Sequence, residues 1–140
     1  MATNSPGHVA RLNPDQVINT LALHFAWNTT NVATGIPFPA YIPQGATILR
    51  TTVNATTAFN AGTTNTVSIG DNASSYNDMM NAQTVTSAGS FQSTIGGWGT
   101  AATNLAAGDV RPYLIYAQTG GSATAGAGVA VIEYATNFDA

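Results

Sequence analysis

Between Val17 and Trp27 the large apolar side chains stand on alternate positions. Val17, Leu21, Leu23, Phe25 and Trp27 are odd-numbered, while Thr20, Ala22, His24 and Ala26 fall between them. A period of two puts one set on each face of an extended strand, whereas a helix needs apolar residues three and four apart. Little in the rest of the chain offers a helical alternative: threonine occurs 21 times and asparagine 13 times in 140 residues, and both are poor in helix interiors. Trp27 shares the parity of Leu21, Leu23 and Phe25 and is expected in the core.

Ile36-Pro37-Phe38-Pro39 interrupts any ladder, because proline has no N–H to donate. Gly45 introduces a second strand, Thr47 to Thr57, with Leu49, Thr51, Val53 and Ala55 expected on one face. Asn60-Ala61-Gly62 leads into a third, Thr64 to Ile69, which stops at Gly70-Asp71-Asn72. A loop over 71–83 with one helical turn around Tyr76 to Met80 is expected next, then a weaker strand from Gln83 to Thr86. Small residues fill 87–108 and give no assignment. Arg111 to Gln118 and Gly128 to Thr136 read as strong strands. The glycine-rich stretch between them predicts an antiparallel hairpin with a long loop. The expected fold is all-β: a β-sandwich of jelly-roll type over residues 17–140, with an extended N-terminal arm over residues 1–16.

Charge narrows the partners. Three arginines and no lysine stand against six acidic residues, for a net charge of −3. Three cations neutralise too few phosphates for nucleic-acid binding, and no basic amphipathic face exists for a membrane surface. No apolar run approaches a membrane span or a signal segment. The absence of cysteine excludes disulfides, thiolate metal sites and cysteine nucleophiles. General acid–base chemistry has only His8 and His24 to draw on, with His8 in the arm and His24 opposite the face of Leu23 and Phe25. No nucleophile elbow, phosphate loop, dinucleotide fingerprint or zinc-binding His-Glu pattern occurs. The expectation is a chain that is not an enzyme and takes no cofactor.

Two regions admit a binding role. Asp71-Asn72-Ala73-Ser74-Ser75-Tyr76-Asn77-Asp78 offers oxygen ligands for calcium, but its spacing fits no EF-hand, and such residues at a strand end serve as turn caps more often. Trp98, flanked by glycines, can anchor a protein interface, stack on a sugar or fold back on the sandwich. The strands around Tyr113 and Tyr134 carry apolar bulk on both faces, which implies burial on both sides within the fold or at a subunit contact. With His8 and Arg11 of the arm, these give the candidate interface residues: His8, Arg11, Trp98, Tyr113 and Tyr134.

The run Ile48-Leu49-Arg50-Thr51-Thr52-Val53-Asn54-Ala55-Thr56-Thr57-Ala58-Phe59-Asn60-Ala61-Gly62-Thr63-Thr64, continuing to Val67-Ser68-Ile69-Gly70-Asp71, resembles a pattern of small structural proteins of tailed bacteriophages. Ile42-Pro43-Gln44-Gly45-Ala46 and Val129-Ala130-Val131-Ile132-Glu133-Tyr134 are similar to the same group. The resemblance implies a capsid decoration (cement) protein: a homotrimer on the outer surface of the head, bound to the major capsid protein and made in the host cytoplasm. The scarcity of charge and the glycine-rich 119–128 stretch depart from that pattern, so a tail, fibre or head-completion position stays open. So do a carbohydrate-binding module or phage adhesin, with Trp98, Tyr76 or Tyr113 as stacking platforms, and a filament or main-shell subunit.

Overall fold

A computed structural model describes residues 18–72, 75–94 and 108–136. The arm, residues 1–16, and Trp98 lie outside them. Eight strands follow in order: β1 (Ile18–Ala26), β2 (Ile36–Pro37), β3 (Thr47–Thr57), β4 (Thr64–Gly70), β5 (Met80–Thr84), β6 (Gly89–Gln92), β7 (Tyr113–Thr119) and β8 (Ala127–Ala135). They form two four-stranded sheets, β1-β8-β3-β6 and β2-β7-β4-β5, in which every pairing is antiparallel. Six of the seven successive connections pass from one sheet to the other, and β4 to β5 alone stays within its sheet. That order is the connectivity of an eight-stranded jelly roll.

The all-β reading holds, and β1, β3 and β4 lie where the alternation places them. The expected hairpin does not form. β7 pairs with β2 and β4, and β8 pairs with β1 and β3, so the 120–126 connection crosses between the sheets. Two strong patterns adjacent in sequence identify strands, but each strand finds its partners by burying its apolar face, and here those lie elsewhere. The helical turn expected at Tyr76 to Met80 is likewise absent: Tyr76 has φ of 44°, Met79 donates its N–H to the Ile69 carbonyl, and Met80 already begins β5.

The core lies between the sheets. Leu21, Phe25, Val53, Ala130 and Ile132 enter from one side, and Val67, Ile69, Leu114 and Tyr116 from the other. Phe38 and Ile42, from the β2–β3 connection, plug one end with no exposed surface. Each large side chain removed from water contributes about 1.5–3 kcal/mol. The β3 register slips between Ile48 and Arg50, which inserts Leu49 as an extra residue. Ile48 therefore takes the inward place expected of Leu49, which is 46% exposed, while Thr51, Val53 and Ala55 face inward as expected. Trp27 also departs from expectation. β1 ends one residue before it, and the indole is 36% exposed.

Candidate functional site

The registers give the sandwich two distinct ends. At one, the β3–β4 loop (58–63) meets the β7–β8 connection (120–126). Asn60 reaches across: its Oδ1 accepts the N–H groups of Thr124 (2.8 Å) and Ala125 (2.9 Å), and its Nδ2 donates to Thr124 Oγ1. Beneath it, Asn65 is 2% exposed. Its Oδ1 accepts Ala61 N (2.9 Å) and the Tyr116 hydroxyl (2.5 Å), while its Nδ2 donates to the Ala61 carbonyl (3.1 Å). Burial raises the Tyr116 phenol above its ordinary range, so it stays a donor. Gln118 Oε1 holds Ala123 N at 2.8 Å. A stack of Phe25, Phe59 and Tyr116 runs below, with centroids 5.7 and 4.8 Å apart. Gly126, at φ 142°, lies so close to Phe59 that a β-carbon would enter the ring. The connection expected to be a flexible hairpin loop is thus tied down from Ala123 to Gly126.

The opposite end carries the start of β1, the end of β8, the 38–46 and 71–79 loops and residues 108–112. All the described charged residues lie at or toward this end: Arg50, Asp71, Asp78, Asp109, Arg111 and Glu133. Asp109 Oδ1 accepts Gln44 N at 2.8 Å, and Arg111 donates from Nε to the Phe38 carbonyl at 2.9 Å. The Arg111 guanidinium sits 5.7 Å from the ring centre of Tyr41, itself 58% exposed. Arg50 grips Glu133 through two bonds, Nε to Oε2 (3.0 Å) and Nη2 to Oε1 (2.8 Å), which lowers the Glu133 pKa and raises that of Arg50.

Asp78 and Asn72 act as loop closers. Asp78 Oδ1 accepts the Asp71 N–H (2.9 Å), and Asn72 Oδ1 accepts Asn77 N (2.7 Å). Burial, then the hydrogen bond and charge of Asp78, push the Asp71 carboxyl up to about 7. A carboxyl that holds a proton near neutrality is a poor cation ligand. Among the described residues no cluster of three or more His, Asp or Glu side chains is placed to hold a metal.

Of the candidate interface residues, His8, Arg11 and Trp98 lie outside the described residues. Tyr113 faces outward from β7, half-buried, stacked on Tyr76 at 4.7 Å and 19°. Tyr134, on β8 in the other sheet, is half-buried and packs against the core. The two do not form one patch. His24 is exposed on the outer face of β1, as its parity predicts. Sequence reasoning missed Ile18, Tyr41 and Leu49 as exposed apolar groups. The outer face of the β1-β8-β3-β6 sheet bears a shallow groove of about 450 Å³, lined by Arg50, Thr52, Asn54, Ser90, Gln92, Val131 and Glu133. Among the described residues this arrangement offers hydrogen bonds and contact area.

No protein-family model and no curated protein matches the chain. Among solved structures, a chain of the Cyanophage Pam1 capsid asymmetric unit is similar, with a TM-score of 0.58 and 18% identity over 86% of this chain and 84% of that one. The likeness shows the fold. The near-equal coverage also means that the two chains are close in length.

Proposed function

We propose that this protein is a structural component of a bacteriophage virion, a capsid decoration protein that binds the outside of the head shell as a homotrimer and reinforces it. The observation that carries the reading is the shared fold, over nearly the whole of both chains, with a chain of similar length in a phage capsid asymmetric unit. The surface chemistry supports it. Exposed ion pairs contribute little and are screened by salt, so a shell that must persist in varied media gains more from apolar area and uncharged hydrogen bonds. Three copies in one assembly engage several shell subunits at once and gain avidity. No catalytic role belongs to this reading: His24→Ala and Asp78→Asn are expected to remove no turnover.

The deciding experiment is co-sedimentation with undecorated capsids followed by imaging, with sedimentation equilibrium for the oligomer. Decoration requires saturable binding to the outer surface. Failure to bind any capsid, or assembly into large particles without one, overturns it. The groove on the β1-β8-β3-β6 sheet favours a second reading, a glycan-binding module, because hydroxyl and amide side chains suit sugar hydroxyls. Against it, Tyr76 and Tyr113 stack on each other instead of standing as two open platforms. A tryptophan-fluorescence change on glycan titration, without capsid binding, would favour this second reading.

A further inference from the structure

The outer face of the β1-β8-β3-β6 sheet uses its polar side chains unevenly. Along β3 the outward positions are Arg50, Thr52, Asn54 and Thr56. The first and last are engaged, Arg50 with Glu133 and Thr56 with the Ala127 carbonyl at 3.2 Å. The two between them are not. Nor are the β6 residues in register with them, Gln92 opposite Thr52 and Ser90 opposite Asn54. Among the described residues, none of these four side chains makes a hydrogen bond. By contrast Asn60, Asn65, Asn72 and Gln118 all bond within the chain. Two amides and two hydroxyls thus converge on one groove with their donors and acceptors turned to solvent. Val131, beside Thr52 on β8, gives the groove an apolar patch of floor.

We propose that this groove binds a short, uncharged oligosaccharide, with Thr52, Asn54, Ser90 and Gln92 bonding sugar hydroxyls and Val131 meeting the C–H face of a ring. This rests on the glycan-binding reading of the groove given above, names its ligand class and contacts, and depends on neither the trimer nor the shell. The groups present select the ligand. Hydroxyls and amides donate and accept, as sugar hydroxyls do, so each contact forms in either direction. A carboxylated or phosphorylated ligand needs a free cation. Arg50 is the cation here, and Glu133 already fills its fork with two bonds and repels an incoming anion. A peptide added as a strand pairs main chain to main chain, but across the groove β3 is paired on both sides, with β8 and β6. An apolar helix or a lipid needs more than one valine. Size agrees as well. The Arg50 and Asn54 rows lie four residues apart, about 13 Å, and β8 and β6 lie two strand spacings apart, about 10 Å. The volume of about 450 Å³ falls within the range of small-ligand sites. Because water occupies the same groups in the free protein, each contact is an exchange of hydrogen bonds, and the affinity of one groove is modest.

The test titrates the isotope-labelled full chain with cellohexaose, maltohexaose, chitohexaose and, as the acidic counterpart, hexagalacturonate, at millimolar concentration, and reads amide shifts by NMR. A neutral hexamer is expected to move the side-chain amides of Asn54 and Gln92 and the main-chain amides of Thr52 and Ser90, and to leave Val67 and Leu114 of the other sheet in place. Asn54→Ala, Gln92→Ala and Thr52→Val each remove only unengaged groups. Each is expected to weaken binding about fivefold at an unchanged melting temperature. Glu133→Gln frees the Arg50 fork and is expected to let hexagalacturonate bind where the parent chain does not. Binding of no hexamer overturns the proposal and the glycan reading together. A parent chain that prefers hexagalacturonate, or a Glu133→Gln chain that still refuses it, overturns the charge selection and leaves the glycan reading standing. A neutral hexamer that binds equally to all three groove variants overturns the assignment of the groove. Capsid co-sedimentation of the same variants keeps the decoration role separate: they are expected to bind capsid as the parent does. Variants that lose capsid while no hexamer binds the parent would make the groove a shell contact and overturn the sugar site.

Discussion

The two ends of the sandwich solve the same problem, closing a barrel-like mouth over an apolar core, with different chemistry. The end built from residues 58–63 and 120–126 contains no charged side chain and is tied by Asn60, Asn65, Gln118 and the Tyr116 hydroxyl. The other end gathers all six described charges and relies on Arg111 against a carbonyl and on two carboxylates capping backbone amides. Neutral amides can be buried at modest cost once each is paired, which lets Asn65 sit inside the core. Carboxylates must stay near water or keep a proton, and Asp71, half-buried, does the latter near neutral pH. The neutral end should therefore be indifferent to pH and salt, and the charged end responsive to both.

The sharpest way to break this contrast is Asn65→Ala. It strands Ala61 N–H and the Ala61 carbonyl in a buried site and leaves the Tyr116 hydroxyl only its longer bond to Gln118 Oε1 (3.3 Å), and should cost about 3–5 kcal/mol, read as a lower urea midpoint with an unchanged slope. Gly126→Ala comes next. The added methyl meets the Phe59 ring and the backbone is held in a region unfavourable to L residues, for a loss of about 2–4 kcal/mol. At the charged end the effect is smaller and depends on pH. The raised Asp71 carboxyl keeps its proton to about pH 7 in the folded chain but loses it near 4 when unfolded. The folded state then binds more protons between those values, so stability falls as pH rises from about 4 to about 7 and levels off above. Asp71→Asn should flatten that decline in a series of melting temperatures, and an unchanged slope would remove Asp71 as its source. Smallest of all is Arg50→Ala. Its pair with Glu133 is solvent-exposed, and the melting temperature in 0.5 M salt should match that of the parent chain. A clear loss there would mean that the outer sheet face depends on charge after all.

How much of this was legible in the sequence depends on whether a feature is local. The faces of β1, the bounds of β3 and the start of β4 follow from alternation and turn residues, which act over a few positions. Partner choice does not. Nothing near β7 or β8 tells that Tyr116 lies opposite Val67 or that Ile132 lies between Leu21 and Thr51. The bulge that turns Leu49 outward is also silent, since an extra residue in one strand is defined only against its neighbour. Of the candidate interface, Tyr113 could not be placed on the outward face from its strand alone, because both faces there carry apolar bulk. Its stack on Tyr76 depends on the 71–79 loop returning to β7, a tertiary fact. The closing role of Asp78 and Asn72 was readable because short polar side chains at a strand end cap backbone amides nearby in sequence.

The order of strands in the β1-β8-β3-β6 sheet has a consequence for how the chain is made. β8, the last of the eight strands, is the one that lies between β1 and β3. On the ribosome, β1 waits about a hundred residues and β3 about seventy for the strand that joins them, about 5–20 seconds at ordinary rates of synthesis. Only β4 and β5 can pair with a sequence neighbour meanwhile. Such late, non-local closure makes for slow folding. A nascent chain halted before β8 would expose the β8-facing edges of β1 and β3, with Arg50 their single charge, to every other copy on the same message, so aggregation competes with folding during translation.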